Sequence, residues 1–210
     1  MNRAGKTPRF KKQRRVIVEL PGLGKPGALA RRPYPPGQHG LRRKKYSDYA
    51  LQLEEKQKIL FHYGLREAQM LRFITLAKKS SNANWVSKLI GLLERRLDNV
   101  VFRLGFTPSI PAAKQMIVHG KVYVNGQRLD IRSAILSVGD RVELTKDAYQ
   151  NQVYLQAKQN PRLPLPDYLK KEETADGEVG VISFEPDVSY VPFPFNPGHI
   201  TSYYALRGGV

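Results

Sequence analysis

Apolar residues recur at helical steps through the first two thirds of the chain and alternate only in short stretches after that. Met70, Phe73, Ile74 and Ala77 keep an i, i+3, i+4, i+7 rhythm, which predicts an amphipathic helix. Trp85, Val86, Leu89, Ile90 and Leu93 begin another, after a polar hinge at Lys78 to Asn82. Leu93, Leu97, Val100, Val101 and Leu104 carry the same period onward. Asp98, placed after an arginine pair, suits a fresh helix start, so a break is expected near Leu97. Earlier, Ser47-Asp48 opens a helix that Gly64 ends, with Ala50, Leu53, Leu60 and Tyr63 on its inner face. Later, Ser109 is an N-cap, Pro111 fits the first turn, and Ala113, Met116 and Ile117 face inward up to Gly120.

The period then changes. Val122 and Val124 flank Tyr123, and Asn125-Gly126 is a type I′ hairpin signal. Val138-Gly139-Asp140 turns into the alternating Val142 and Leu144. Leu92 to Leu144 therefore reads as a compact ααβ module. A looser helical pattern follows from Lys146 to Gln159, and Glu178 to Phe184 reads as one further strand. Met1 to Arg32 has little apolar periodicity and is broken by Pro21, Gly22, Gly24, Pro26 and Gly27, so an extended basic arm that orders against a partner is expected. The chain's end sets prolines among Tyr190, Phe193, Phe195, Tyr203 and Tyr204; an irregular aromatic tail is expected to pack on the N-terminal helices or a neighbouring protein. The expected class is α+β. Its parts are an arm and turn at 1–45, a helical domain at 46–91 completed by 186–210, and the module with its following helix and strand at 92–185.

Charge changes the picture from fold to partner. Lys and Arg number 35 against 18 Asp and Glu, a formal net charge of +17. Residues 1–50 hold 14 basic and 2 acidic side chains, residues 51–163 hold 18 and 9, and residues 164–210 hold 3 and 7. Such a surplus repels itself in a compact fold, and a polyanionic partner gripped by the first two segments relieves it. No apolar run approaches the ~20 residues of a membrane span, and no secretory signal is expected. The absence of cysteine excludes a disulfide scaffold and a thiolate zinc site. His39, His62, His119 and His199 lack metal-ligand spacing, so neither metal nor cofactor is expected.

Two stretches carry the candidate contacts. In Tyr34-Pro35-Pro36-Gly37-Gln38-His39-Gly40 a tight turn presents Gln38 and His39, and Arg42, Arg43, Lys44 and Lys45 follow it, an arrangement suited to a phosphate backbone. In the module the candidates are Arg95, Arg96, Arg103, Lys114, His119, Lys121 and Arg128, with Asn125 placing the hairpin. Each competes with a plainer role as a solvated helix-face charge. No catalytic residue is proposed. A basic DNA-binding module is disfavoured, because no recognition helix with a dimerisation element is evident.

The motifs PPGQHG, SDYALQLEEKQK, HYGLREAQ, LLERRLDNVVFRLGF and HGKVYVNG occur in that order over roughly residues 33 to 145. Together they resemble the bacterial-type small-subunit ribosomal protein family S-four, and Leu92 to Leu144 is similar to the RNA-binding module named after it. The ELPGL start and the EEKQK–FHYGL run look most like cyanobacterial and plastid members. The resemblance implies a two-domain structural constituent of the small ribosomal subunit, with the module inserted so that the chain's end returns to the first domain. It implies a primary rRNA binder that nucleates assembly at the five-prime domain junction. The expected neighbours are the small-subunit protein S-five and mRNA near its entry site, with a bearing on translational accuracy. The location would be the ribosome, in bacterial cytoplasm or plastid stroma. One branch of the family carries an N-terminal cysteine zinc site, which this chain cannot form.

Two departures stand out. Ile110 occupies a place where the family commonly has Arg, leaving Lys114 with Arg103 to compensate, and the tail Ile200 to Arg207 keeps the tyrosines but lacks the family's acid. Recognition is expected through shape and phosphate, since the A-form major groove is too narrow for side chains. A rival reading is an RNA-modifying enzyme of the pseudouridine synthase kind, because Arg96-Leu97-Asp98 repeats its catalytic letters. Here Asn99-Val100-Val101 follows in place of a Thr-containing turn, and the stretch lies inside the module, so Asp98 reads better as a cap or an arginine's partner.

Overall fold

The computed structural model describes residues 9–23, 26–42, 45–80, 84–174 and 177–205. In chain order the elements are α1 (Arg9–Val16), α2 (Ala28–Arg31), α3 (Asp48–Tyr63), α4 (Glu67–Ser80), α5 (Trp85–Glu94), α6 (Leu97–Arg103) and α7 (Ile110–Val118). Then come β1 (Val122–Val124), β2 (Gln127–Arg128), β3 (Arg141–Leu144), α8 (Gln152–Gln159), β4 (Leu169–Thr174), β5 (Gly177–Ile182) and α9 (Pro197–Ala205), with a 3₁₀ turn at Val188–Tyr190. The class is α+β. Two compact units result: 1–72 with 192–210, and 73–191.

In the first unit α3 starts where Ser47 Oγ accepts the Ala50 N–H at 3.3 Å, and it stops at Gly64. Its buried face differs from the expected one. Ala50, Leu53 and Leu60 are only half-buried, whereas Glu55, Lys56, Lys58, Ile59, His62 and Tyr63 are buried. The reason lies at the far end of the chain. The tail is irregular, apart from one 3₁₀ turn, up to Asn196 and then forms α9, whose Ile200, Tyr203 and Tyr204 are buried against the N-terminal helices. Lys56 Nζ donates to the Tyr203 hydroxyl and pairs with Glu67, both at 3.0 Å. Lys58 pairs with Glu55 and donates to the Pro194 carbonyl at 3.2 Å. Buried charge is tolerated because each group finds a partner.

The expected extended arm fails for Arg9 to Val16, which is helical. Gln13 and Val16 are buried, and Leu20 and Leu23 beyond the helix are buried too, so a short apolar anchor orders this segment. The helix ends with Ile17 at φ +50°, a left-handed conformation that a β-branched residue adopts only under strain.

In the second unit the expected break occurs at Arg95-Arg96, with Arg96 as the cap position and Asp98 inside the first turn of α6. Backbone bonds stitch this break to a later loop: Leu97 N–H to Ala134 O at 2.8 Å, Asp98 N–H to Arg132 O at 3.2 Å, and Leu136 N–H to Arg95 O at 2.9 Å. Ser109 caps α7 by accepting the Ala112 N–H at 3.3 Å. The strands form one antiparallel sheet in the order β2-β1-β3-β5-β4, with Val124 opposite Gln127, Val122 opposite Leu144 and Val142 opposite Gly180. Leu97, Val101, Phe106, Ile117, Val142 and Tyr168 centre its core. Strand β4, LKKEET, carries no strand signal in its sequence. Only Leu169 in it is buried, so no alternation marks it, and register with β5 alone makes it a strand. The expected boundary at 91/92 is not where the compact units part, which is inside α4. Helix α5 belongs with the module because its last residue, Glu94, is bonded into the module's interior.

Candidate nucleic-acid interface

The PPGQHG loop is clamped from α1. Arg14 Nε donates to the Tyr34 carbonyl at 3.0 Å, a second guanidinium nitrogen donates to the Pro35 carbonyl at 3.3 Å, and the guanidinium lies 4.8 Å from the Tyr34 ring centre. Gly40 completes the turn by bonding its N–H to the Gly37 carbonyl at 3.3 Å. A Cβ at Gly40 would fall 2.1 Å from the Pro35 carbonyl oxygen, so no other residue fits this backbone path. With the backbone held from within, Gln38, His39, Arg42 and Lys45 are exposed, and their side chains form no hydrogen bond or ion pair among the described residues. Leu41 stands 80% exposed among them. Arg43 and Lys44 lie outside the described residues.

The module's arginines are placed otherwise. Arg96 is 3% exposed and meets Asp98 through two bonds, 3.0 and 2.8 Å, with its guanidinium 5.6 Å from the Phe73 ring centre. Arg103 is buried, donating to Glu94 at 3.0 Å and to the Tyr190 carbonyl. Glu94 also accepts from Asn99 and from the Tyr168 hydroxyl, each at 2.8 Å. Burial first, and then the Glu94 charge, push the Tyr168 hydroxyl's pKa well up. Arg95 spans the Gly91 and Leu136 carbonyls at 3.4 Å and pairs with Glu185 at 3.3 Å. The three arginines expected to face RNA are thus engaged with the protein itself. Arg103 in particular is not placed to compensate for Ile110, which is itself a core residue.

Asn125 is likewise occupied. It sits at φ +51° beside Gly126 at φ +76°, as a type I′ turn demands. Its amide donates to Asp140 and accepts the Arg141 N–H, both at 2.9 Å, locking the hairpin to β3. Lys121 is partly exposed and pairs with Asp147. Lys114 lies 3.4 Å from Asp98 and keeps 17% of its side chain accessible. Burial lowers its pKa, Arg96 and Arg132 push the same way, and Asp98 opposes them. His119 and Arg128 are exposed, and the Arg128 guanidinium rests on Gly120 so closely that a Cβ there would fall 1.9 Å from it. Val118 is exposed next to His119.

These groups offer donors and positive charge around apolar stepping stones, with no nucleophile aligned to a base. Asp98 is 1% exposed and consumed by ion pairs, so no substrate base reaches it as an enzyme's aspartate must be reached. Among the described residues no group of three His, Cys, Asp or Glu is placed to hold a metal ion, and no helix is long and apolar enough to cross a membrane.

The sequence matches two family models, "Ribosomal protein S4/S9 N-terminal domain" over residues 4–94 and "S4 domain" over residues 95–142. It is 63% identical over 208 residues to the small ribosomal subunit protein uS4B of Bdellovibrio bacteriovorus, covering 99% of this chain and 100% of that protein. Identity to the uS4 of a Synechococcus species is 44% over 204 residues, covering 95% of this chain and 97% of that one. With the uS4B of Nitrosomonas europaea it is 40% over 202 residues, at 95% and 97% coverage.

Proposed function

Because the chain belongs to the ribosomal protein S4 (uS4) family, we propose that it serves as a structural, non-enzymatic constituent of the small ribosomal subunit and binds its rRNA. The contacts come from two groups of cations and donors: Gln38, His39, Arg42 and Lys45, exposed on the clamped loop, and Lys114, His119, Lys121 and Arg128 on the module, of which Lys114 and Lys121 are only partly exposed. Arg43 and Lys44 extend the loop set. The observation that supports this best is the state of the loop. Its backbone is fixed by Arg14 and Gly40, yet the side chains of Gln38, His39, Arg42 and Lys45 are left to solvent. Preorganised donors that lack an internal partner favour a ligand that brings phosphate oxygens.

Within this reading the protein binds the five-prime domain junction early in assembly, beside the protein S-five and close to the mRNA entry site. The ribosome of a bacterial cytoplasm is the setting, with a plastid stroma as the alternative. Arg95, Arg96, Arg103 and Asn125 shape the module rather than touch RNA. Filter binding to a five-prime-domain transcript tests the core of the reading. With ~6–10 phosphates neutralised, affinity falls about a thousandfold or more between 50 and 200 mM salt. A flat response, or no preference for the folded junction over an unfolded transcript of equal length, ends it. Uridine isomerisation by the purified protein would instead favour the enzyme reading.

A further inference from the structure

The loop that seals the α5–α6 break carries a cation that none of the sequence motifs singles out. Arg132 is exposed, and its side chain makes no hydrogen bond or ion pair among the described residues. Its backbone, by contrast, is fixed, since its carbonyl accepts the Asp98 N–H at 3.2 Å. The neighbouring Ala134 carbonyl accepts the Leu97 N–H at 2.8 Å, and an antiparallel bridge joins Ile135 to Arg96. The side-chain end of the same Asp98 holds Lys114 at 3.4 Å. One buried residue thus ties down the loop of Arg132 with its main chain and the ammonium of Lys114 with its carboxylate.

Charge around Asp98 is unbalanced. Its carboxylate meets Arg96 through both oxygens and still faces Lys114, so one negative charge serves two cations. Both Arg96 and Arg132 act to lower the Lys114 pKa, which places them within electrostatic reach of it. Arg96 is sealed in the interior, whereas Lys114 and Arg132 reach solvent. A cluster of this kind is relieved by an anion arriving from outside.

We propose that Arg132 contacts the RNA phosphate backbone beside Lys114, and that Asp98 is the positioning residue that sets the two cations side by side. The inference rests on the reading of the chain as an rRNA binder and adds a contact to it. The ligand is a phosphodiester oxygen. A guanidinium suits it because its planar donor fork matches phosphate geometry. Ile110, at the start of α7, is buried and offers no cation.

The test is filter binding of the full-length protein to the five-prime-domain transcript over a salt series, comparing wild type with Arg132→Gln, Arg132→Lys and Lys170→Gln. Lys170 is an exposed cation on the edge strand β4 and serves as the control. Arg132→Gln should weaken binding at every salt concentration and reduce the slope of log K against log salt by about one. Arg132→Lys should keep the slope, and Lys170→Gln should leave both quantities unchanged. The melting temperature of Arg132→Gln should match wild type, because the side chain makes no hydrogen bond or ion pair among the described residues. A wild-type slope that is steep and unaltered by Arg132→Gln overturns the inference, as does an equal loss in the Lys170→Gln control. If Arg132→Gln melts early, Arg132→Lys decides: wild-type slope supports the contact, and a reduced slope with normal melting overturns it. A flat wild-type slope would instead remove the rRNA-binding reading on which it stands.

Discussion

Two arginine-rich stretches of this chain look alike as text and behave as opposites in the fold. Arg95 and Arg96 follow α5 and Arg103 ends α6, and Glu94, Asp98 and Glu185 draw them into the protein. Arg42 and Lys45 follow a loop that holds its own backbone by other means, and their side chains stay in solvent. The first set holds a domain together, and the second is left for a ligand. A cation's role is therefore decided by whether a carboxylate and burial together have already claimed it, not by how many cations surround it. The same rule places Arg132 with the second set although it lies in the module of the first.

That contrast can be broken by experiment, most sharply at Glu94. Glu94→Ala leaves Arg103 buried without its carboxylate and takes an acceptor from Tyr168 and from Asn99; the expected loss is about 3–5 kcal/mol of stability in chemical denaturation, as for other buried pairs cut on one side. A loss below 1 kcal/mol would mean that the buried network does not hold the module. Next in size is Gly40→Ala. The new Cβ collides with the Pro35 carbonyl, the loop must shift, and a cost of about 1–3 kcal/mol is expected in rRNA affinity with the helical content by circular dichroism unchanged.

The opposite signature is expected for the double variant Arg42→Ala with Lys45→Ala. Stability should stay within about 0.5 kcal/mol of wild type, while the salt slope of rRNA binding should fall by about two. Stability loss in this variant would erase the distinction between the two sets.

Glu178 offers a test through pH. Burial raises its pKa, but hydrogen bonds from Lys158 and Lys171 outweigh that and bring it down to about 2. A carboxylate depressed in the folded state stabilises above its unfolded pKa and loses that contribution as pH falls towards 2. Acid unfolding of Glu178→Gln should therefore be less steep than wild type between about pH 4.5 and 2, the span between the unfolded and folded values. An unchanged acid limb would show that the two lysines do not hold Glu178. The smallest effect is expected at Ile17, where the left-handed backbone is strained: Ile17→Gly should raise stability by about 1 kcal/mol, read by thermal melting.

Sequence by itself determined much of the architecture here. Ser47, Gly64 and Ser109 mark helix limits because caps are local chemistry, and Asn125-Gly126 marks the hairpin because only certain residues tolerate its backbone. The sign of the partner's charge and the exposed PPGQHG loop were legible for the same reason. Tertiary structure alone decided the rest. Periodicity tells which apolar residues turn inward, but not which arginine or lysine finds a buried acceptor, whether near in the chain, as Asp98 is to Arg96, or far from it. Glu94 meets Tyr168, Lys56 meets Tyr203, and Arg103 meets Tyr190 across spans that no window along the chain can read. Strand β4 became a strand through its neighbour's hydrogen bonds, and α9 acquired its buried face from α3. Local signals fix the elements, and long-range pairing of charge fixes which of their polar faces remain free to bind.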